Sequence, residues 1–172
     1  MLIQVRTATS QDIDSIQCIG INVWTETYAE RGLTAEIASY VTEKFSRASV
    51  ESQLADPANE IQVATVLDHV IGYGLRKNNS PCPANEGLTS ELATLYVLRR
   101  FQGVGVGRAL LASLTSTKSL PASPTSLWLR MNSRNQQAFA FYKTAGYHKI
   151  GSVWVNFDGE KNENYILAAG DA

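Results

Sequence analysis

The chain has 172 residues, of which 44% are hydrophobic and 18% are charged, and its formal net charge is −1. This length and this share of apolar side chains suit one ordinary core, so we expect a single domain over residues 1–172. The balanced charge argues against a protein-wide field that attracts nucleic acid, and we expect no nucleic-acid partner.

The sequence shows no targeting pattern and no metal-binding pattern. No apolar run near the first residue is long enough for a signal peptide or a membrane span, so we expect a cytoplasmic protein without a membrane partner. Cys18 and Cys82 form no CxxC or Cys/His spacing, which predicts free thiols and no metal. The two histidines, His69 and His148, have no nucleophile or carboxylate at a telling spacing, and we expect both at the surface.

Hydrophobic periodicity predicts a chain in which strands and helices are mixed. In the first half we expect a strand at 2–7, a helix at 10–28, further helices over 29–55, and strands at 60–67 and 69–77 joined by a tight turn at Asp68. In the second half we expect a loop at 78–89, a strand at 91–98, a helix at 104–117, a turn at 118–124, a strand at 126–131, a helix at 135–144, and strands at 147–156 and 163–169. This order predicts a mixed α/β or α+β sheet with helices on its faces.

The most informative segment follows the strand at 91–98. Gly103, Gly105 and Gly107 remove side chains from a turn that leads into a helix, so that backbone N–H groups can approach an anion closely. The helix start adds unpaired N–H groups and the positive end of its dipole. Three arginines add positive charge nearby, namely Arg99, Arg100 and Arg108. The pattern predicts a phosphate or pyrophosphate site.

Residue types decide which phosphate site this is. A P-loop needs Lys directly after its last glycine, but Arg108 follows Gly107. A dinucleotide turn needs a third glycine where Leu110 stands. The spacing that remains is Gln-x-x-Gly-x-Gly, from Gln102 through Gly105 to Gly107.

Residues downstream of this turn complete a family pattern. After the strand come, in order, Asn132, Asn135, Ala138, Phe141-Tyr142 and Gly146-Tyr147. Together with the turn, this arrangement resembles the GNAT superfamily of acetyltransferases from about Glu91 to Tyr147, and the element order extends the resemblance over nearly the whole chain. The resemblance implies a mostly antiparallel sheet of about seven strands, flanked by helices, with a splayed parallel pair in the middle.

The resemblance also implies acetyl-CoA as co-substrate. The glycine-rich turn would grip its pyrophosphate, and the pantetheine arm would pair with backbone groups near Val97. Lys143 either meets a phosphate or is a solvated helix lysine. The cofactor-binding residues implied in this way are Tyr96, Val97, Gln102, Gly103, Val104, Gly105, Val106, Gly107, Arg108, Asn135 and Lys143.

Acetyl transfer to an amine requires a neutral nucleophile, a stabilised thioester oxygen and a proton for the departing sulfur. The resemblance implies that Tyr142 is the acid that protonates the sulfur; alternatively it is a core aromatic. Glu91 lies where some family members carry their base; alternatively it is a solvated strand-start residue and a water chain removes the proton. The oxyanion donor would be a backbone N–H near Val97.

Acceptor recognition is expected near the end of the first helix. The run from Trp24 to Tyr28 resembles GNAT members of the PaiA type, and both rings would bind a cation by their faces, unless they only pack the helix onto the sheet. We therefore expect an N-acetyltransferase that acts on a polyamine-like small molecule or on a peptide or protein amine. The alternative is a non-catalytic acyl-CoA-binding module. An exposed edge among the late strands at 147–156 and 163–169 would allow a homodimer.

Overall fold

The computed structural model describes residues 2–29, 31–116 and 127–170, which form seven strands and five α-helices. In chain order these are β1 (Gln4–Thr7), α1 (Ile13–Tyr28), α2 (Ala35–Lys44), α3 (Arg47–Ala55), β2 (Asn59–Val66), β3 (His69–Lys77), β4 (Glu91–Val97), α4 (Val106–Thr115), β5 (Trp128–Asn132), α5 (Gln136–Thr144), β6 (Tyr147–Phe157) and β7 (Glu160–Ala169). The strands and helices follow the order expected from the sequence. The turn expected at 118–124 lies outside the described residues.

Local chemistry explains where the helices begin. The helical pattern over 29–55 is divided into α2 and α3, because Thr34 and Ser46 each start a new helix. The Thr34 hydroxyl accepts a hydrogen bond from the Ile37 N–H at 3.2 Å, and the Ser46 hydroxyl accepts one from the Ser49 N–H at 3.2 Å. Such caps satisfy N–H groups that have no partner inside the helix.

The strands form one sheet in the order β1-β2-β3-β4-β5-β7-β6. β1 pairs with β2, and β7 pairs with β5 and β6, all antiparallel. β4 and β5 run parallel, and their ladder is a single residue pair, Glu91 opposite Trp128. The structure thus confirms the expected seven-stranded, mostly antiparallel sheet with one parallel pair.

The tight turn expected at Asp68 is present between β2 and β3. Leu67 and Asp68 have φ angles of 47° and 64°, the left-handed pair of a two-residue hairpin turn. A second tight turn joins β6 to β7 through Asp158 and Gly159, with φ angles of 50° and 71°. Both turns fit the right-handed twist of the strands that they join.

The described residues fall into two compact units, one drawn from Met1–Arg76 and Thr94–Thr117 and the other from Lys77–Ala93 and Lys118–Ala172. The first unit has a core cluster of Ala64, Ile71, Val97, Val106 and Leu110. The second has a core cluster of Cys82, Trp128, Ile166 and Ala168. A single domain over the whole chain stays a prediction. No helix in the described part of the chain is long and apolar enough to cross a membrane.

Candidate active site

The glycine-rich turn lies between β4 and α4, in the first unit. β4 ends at Val97, a 3₁₀ turn follows over Arg99–Phe101, and α4 begins at Val106. Gly103 and Gly105 have φ angles of +77° and +97°, where side chains with a Cβ are disfavoured. A Cβ at either position would meet no atom within 4 Å, so glycine is required here by backbone conformation and not by crowding.

The start of α4 offers its backbone N–H groups outward. Gly105 is the N-cap residue and provides no side chain to cap the helix. Its carbonyl accepts the first helical hydrogen bond, from the Ala109 N–H at 3.0 Å. The N–H groups of Val106, Gly107 and Arg108 therefore have no partner within the helix. Unpaired N–H groups at the positive end of a helix dipole are suited to bind an anion.

Positive side chains surround this turn. Arg99, Arg100 and Arg108 are exposed, and none forms an ion pair with a carboxylate of the residues that the structure describes. The Arg100 guanidinium lies 5.9 Å from the centre of the Phe101 ring. Cations with no acidic partner nearby favour the binding of a polyanion such as a pyrophosphate.

Other predicted cofactor residues hold this turn in shape. The Gln102 side-chain amide donates to the Val97 carbonyl at 2.9 Å and so closes the turn onto the end of β4. Val97 and Val106 are buried, so Val106 offers only its N–H to an anion. Val104 is 54% exposed at the tip of the turn. The Tyr96 ring lies 5.8 Å from the Tyr73 ring, packed within the first unit.

Tyr142 lies on α5 in the second unit and is buried. The centre of its ring lies 5.1 Å from that of Phe141 and 5.7 Å from that of Tyr147, both in edge-on arrangements. The Tyr147 hydroxyl is buried and has no hydrogen-bond partner among the described residues. Burial raises the pKa of Tyr147 to about 12, so this phenol is neutral at physiological pH. These contacts suit a core aromatic and an acid alike.

Asn135 and Lys143 occupy the two ends of α5. The Asn135 side-chain oxygen accepts a hydrogen bond from the Ala138 N–H at 3.0 Å and caps the helix, which is a structural role the sequence interpretation did not assign. Lys143 is exposed in the last turn, with its Nζ 5.9 Å from the centre of the Phe139 ring. The cap leaves the Asn135 Nδ2 atom as the group available to a ligand.

Glu91 begins β4 in the second unit and is only partly exposed. Its Oε2 atom accepts a hydrogen bond from the Ser80 hydroxyl at 2.7 Å, and the Trp128 indole donates to the Ser80 carbonyl at 2.8 Å. The indole thus fixes Ser80, and Ser80 fixes the carboxylate. Sequence reasoning missed Ser80 because the segment 78–89 was recognised only by its loop composition, which does not indicate tertiary partners.

Near the end of α1, in the first unit, three aromatic rings meet. The centre of the Trp24 ring lies 5.1 Å from that of Tyr28 and 5.4 Å from that of Tyr40. Trp24 is buried, whereas Tyr28 and Tyr40 are 36% and 37% exposed. The Lys44 ammonium donates to the Tyr40 hydroxyl at 2.9 Å. Trp24 therefore packs the helix, and the tyrosines present the exposed rings. Sequence reasoning missed Tyr40, whose spacing on α2 gave no signal of this contact.

The residues expected for the site thus form local groups within each unit. The first unit holds the turn from Gln102 to Arg108 and the aromatic group of α1. The second holds the Glu91–Ser80 pair, the paired rings of α5 and β6, and Asn135. Within residues 2–29, 31–116 and 127–170, no three His, Cys, Asp or Glu side chains lie close enough together to hold a metal ion.

Comparison with known proteins gives a consistent result. The family model for the acetyltransferase (GNAT) domain matches residues 24–161, which is most of the chain. An uncharacterised N-acetyltransferase of Mycobacterium tuberculosis is 26% identical over 131 residues, which cover 76% of this chain and 80% of that protein.

Two solved structures have a similar fold. The PaiA N-acetyltransferase of Thermoplasma acidophilum, in complex with coenzyme A, has a TM-score of 0.74 and 19% identity over 98% of this chain and 99% of that one. Arabidopsis thaliana NAA60, in complex with a bisubstrate analogue, has a TM-score of 0.73 and 13% identity over 98% of each chain. At these identities the likeness extends to the fold alone.

Proposed function

The chain belongs to the GNAT family and is an acetyl-CoA-dependent acetyltransferase, and from this premise we propose that its acceptor is a primary amine. That amine belongs to a polyamine-like small molecule or to a peptide or protein. The acetyl group passes to this amine directly, when the neutral nitrogen attacks the thioester. No covalent acetyl-enzyme is formed.

The observation that supports this proposal is the turn from Gln102 to Arg108. Two left-handed glycines, three N–H groups at the start of α4 and three exposed arginines together suit a diphosphate bridge with two negative charges. We assign the CoA pyrophosphate to this turn and the pantetheine arm to backbone groups near Val97. The Asn135 amide nitrogen contacts the cofactor arm, and Lys143 contacts a phosphate.

In the proposed chemistry Glu91 accepts a proton from the amine and Tyr142 donates a proton to the CoA sulfur. An alkylammonium has a pKa of about 10.4, so a base must remove a proton before the nitrogen can attack. Glu91 takes that proton, directly or through a water, from a carboxylate oriented by the Ser80 hydroxyl. The nitrogen then bonds to the thioester carbon, the C–S bond breaks, and Tyr142 gives its phenolic proton to the CoA sulfur. The second proton that leaves the nitrogen passes through water to the Tyr142 phenolate, which restores the acid.

The exposed rings of Tyr28 and Tyr40 support an acceptor that carries positive charge. Aromatic faces attract alkylammonium groups. The Lys44 ammonium already lies 5.2 Å from the centre of the Tyr40 ring. An incoming cation would be repelled there, so we assign it to the face of Tyr28, next to Trp24. The matched test is Tyr28→Leu against Tyr40→Leu, with KM for the amine as readout.

The test of the proposed function has two steps. Isothermal titration first measures binding of acetyl-CoA, and a thiol-release assay with product mass spectrometry then screens diamines, polyamines, amino acids and N-terminal peptides. We expect binding together with thiol release on one class of amine. Binding without thiol release on every amine would favour the non-catalytic acyl-CoA module instead. Binding of ATP or NAD in place of CoA would contradict both.

We also propose a homodimer that pairs through β6. This strand ends the sheet order, and the segment 150–157 carries no charged residue that would oppose a second copy. Trp154 on this strand is 58% exposed. Light scattering should therefore give twice the chain mass, and Trp154→Lys should reduce it to a monomer. A monomeric wild-type protein at micromolar concentration would contradict the proposal.

A further inference from the structure

Arg76, on β3, is a buried cation that the reaction does not use. Its side chain is 1% exposed and is among the largest fully buried side chains of the chain. Taking a guanidinium out of water carries a large desolvation cost, and an apolar side chain of the same length avoids it. The hydrogen-bond partners of Arg76 therefore indicate why a charged donor, and not an apolar side chain, occupies this position.

The Arg76 guanidinium donates to the end of α4. Its Nη1 atom lies 3.0 Å from the carbonyl oxygen of Leu114, in a buried contact. The last carbonyls of a helix have no partner within it, and a cation there also opposes the negative end of the dipole. The three preceding carbonyls accept hydrogen bonds from residues close by in the chain. The Leu111 carbonyl accepts from the Thr115 hydroxyl, the Ala112 carbonyl from the Ser116 N–H and hydroxyl, and the Ser113 carbonyl from the Ser116 N–H.

The neighbouring residues bring this end of α4 close to β3. Gly74 lies on the same face of the strand as Arg76, because the two are separated by one residue. A Cβ on Gly74 would lie 2.6 Å from Leu114 Cδ1. Leu114 itself is fully buried. The last turn of α4 therefore packs against β3 at Gly74, and the Leu114 carbonyl accepts a hydrogen bond from Arg76 of the same strand.

The opposite end of the same helix is the pyrophosphate turn. α4 has ten residues and is therefore about 15 Å long, and its buried side chains Val106 and Leu110 pack in the core of the first unit. Apolar packing is non-directional and tolerates a small slide or rotation of the helix. A hydrogen bond from a buried guanidinium does not, because its length and angle are restricted. Arg76 therefore fixes the position from which Val106, Gly107 and Arg108 present their N–H groups.

We propose that Arg76 is a positioning residue for the CoA pyrophosphate: it anchors the last turn of α4 so that the first turn holds the diphosphate. This inference rests on the proposed assignment of the pyrophosphate to the turn. It requires no acetyl transfer, so it is tested by binding alone. Loss of the anchor should weaken binding of ligands that carry the diphosphate and leave binding of ligands without it unchanged.

The experiment compares Arg76→Met with Arg76→Lys, which keeps a charged donor. The probes are CoA, titrated calorimetrically, and pantetheine, which lacks the diphosphate, titrated by ligand-observed NMR. We expect the Kd of Arg76→Met for CoA to be about tenfold higher than that of wild type. This is less than the roughly hundredfold loss of rate that a misplacement of about 1 Å can cause at a reacting centre. The Kd of Arg76→Lys should lie between those of wild type and Arg76→Met, and the affinity for pantetheine should not change.

A control separates positioning from general stability. Val50→Ala removes buried volume on a different helix, α3, and should lower the Tm with no change in the Kd for CoA. The inference is overturned if folded Arg76→Met binds CoA as wild type does, or if Val50→Ala or pantetheine shows the same loss. If Arg76→Met does not fold, Arg76→Lys is judged by the same criteria. If neither folds with CoA present, Arg76 belongs to the core alone and the inference fails. A wild-type protein that binds no CoA would instead overturn the proposed function.

Discussion

Gly105→Ala tests whether the left-handed turn holds the pyrophosphate. Gly105 has φ +97° and ψ −4°, and a left-handed conformation costs an L-residue about 1–2 kcal/mol. A Cβ there would meet no atom within 4 Å, so no clash adds to this cost and the variant should fold. Because 1 kcal/mol lowers the Tm of a protein of this size by about 2–4 °C, we expect a modest fall in stability.

The effect on binding should be larger than the effect on stability. Relief of the strain would rotate the peptide groups next to Gly105, including the N–H groups that face the anion. Loss of one hydrogen bond to a charged group costs about 1.5–3 kcal/mol. This corresponds to an increase of about 10-fold to 150-fold in the Kd for CoA, measured by isothermal titration.

Gly159→Ala is a matched control. Gly159 also has a left-handed φ, +71°, and also has nothing within 4 Å of its Cβ position, but it lies in the turn between β6 and β7. It should lower the Tm by a similar amount and leave the Kd for CoA unchanged. An unchanged Kd in Gly105→Ala, or an equal loss in both variants, would refute the assignment of the pyrophosphate to this turn.

Three further predictions concern the acid, the base and the stability at low pH. Tyr142→Phe should lower kcat about a hundredfold and leave the Kd for acetyl-CoA near normal. Tyr147→Phe should keep kcat and raise the free energy of unfolding by about 1 kcal/mol, because it removes a buried hydroxyl that has no partner among the described residues. Equal kcat values in the two variants would remove Tyr142 from the mechanism. Glu91→Gln should lower kcat/KM for the amine about a hundredfold with acetyl-CoA affinity unchanged, and a wild-type rate would show that water alone removes the proton. The hydrogen bonds from Arg6 hold the pKa of the buried Asp12 carboxyl below its ordinary value. This pair therefore stabilises the fold above about pH 4, and its contribution is lost as the pH falls through the lowered pKa. Urea unfolding of Arg6→Met should show a smaller loss of stability between pH 5 and pH 2 than wild type, and identical pH profiles would contradict this role.

The sequence predicted those parts of the fold, and of the local geometry of the candidate site, that depend on residues close together in the chain. The turn from Gln102 to Arg108 is one example, because its glycines, its helix start and its arginines lie within a few positions of one another. The hairpin turn at Asp68 is another. The order of strands and helices along the chain also followed from periodicity and from the family resemblance.

Contacts between distant segments were not predictable in this way. Ser80 meets Glu91 across a loop whose composition indicates only that it is a loop, and the Trp128 indole that fixes Ser80 comes from a later strand. Tyr40 joins Trp24 from a different helix. Arg76 reads in sequence as an ordinary residue near the end of a strand, and only the structure reveals its bond to α4.

The same distinction bears on where specificity for the amine arises. CoA is one molecule with a fixed diphosphate, so a local motif such as the turn from Gln102 to Arg108 is suited to it, and such a motif can be recognised from sequence. The proposed contact of the amine is Tyr28 on α1, whose ring packs against Trp24, and Trp24 in turn contacts Tyr40 of α2, so no short stretch of sequence identifies this group. A substitution such as Tyr28→Leu should therefore change the choice of amine without changing the Kd for CoA, whereas Gly105→Ala should weaken CoA binding to the same extent whichever amine is present. Comparing the two variants across the amine panel would separate cofactor binding from acceptor recognition.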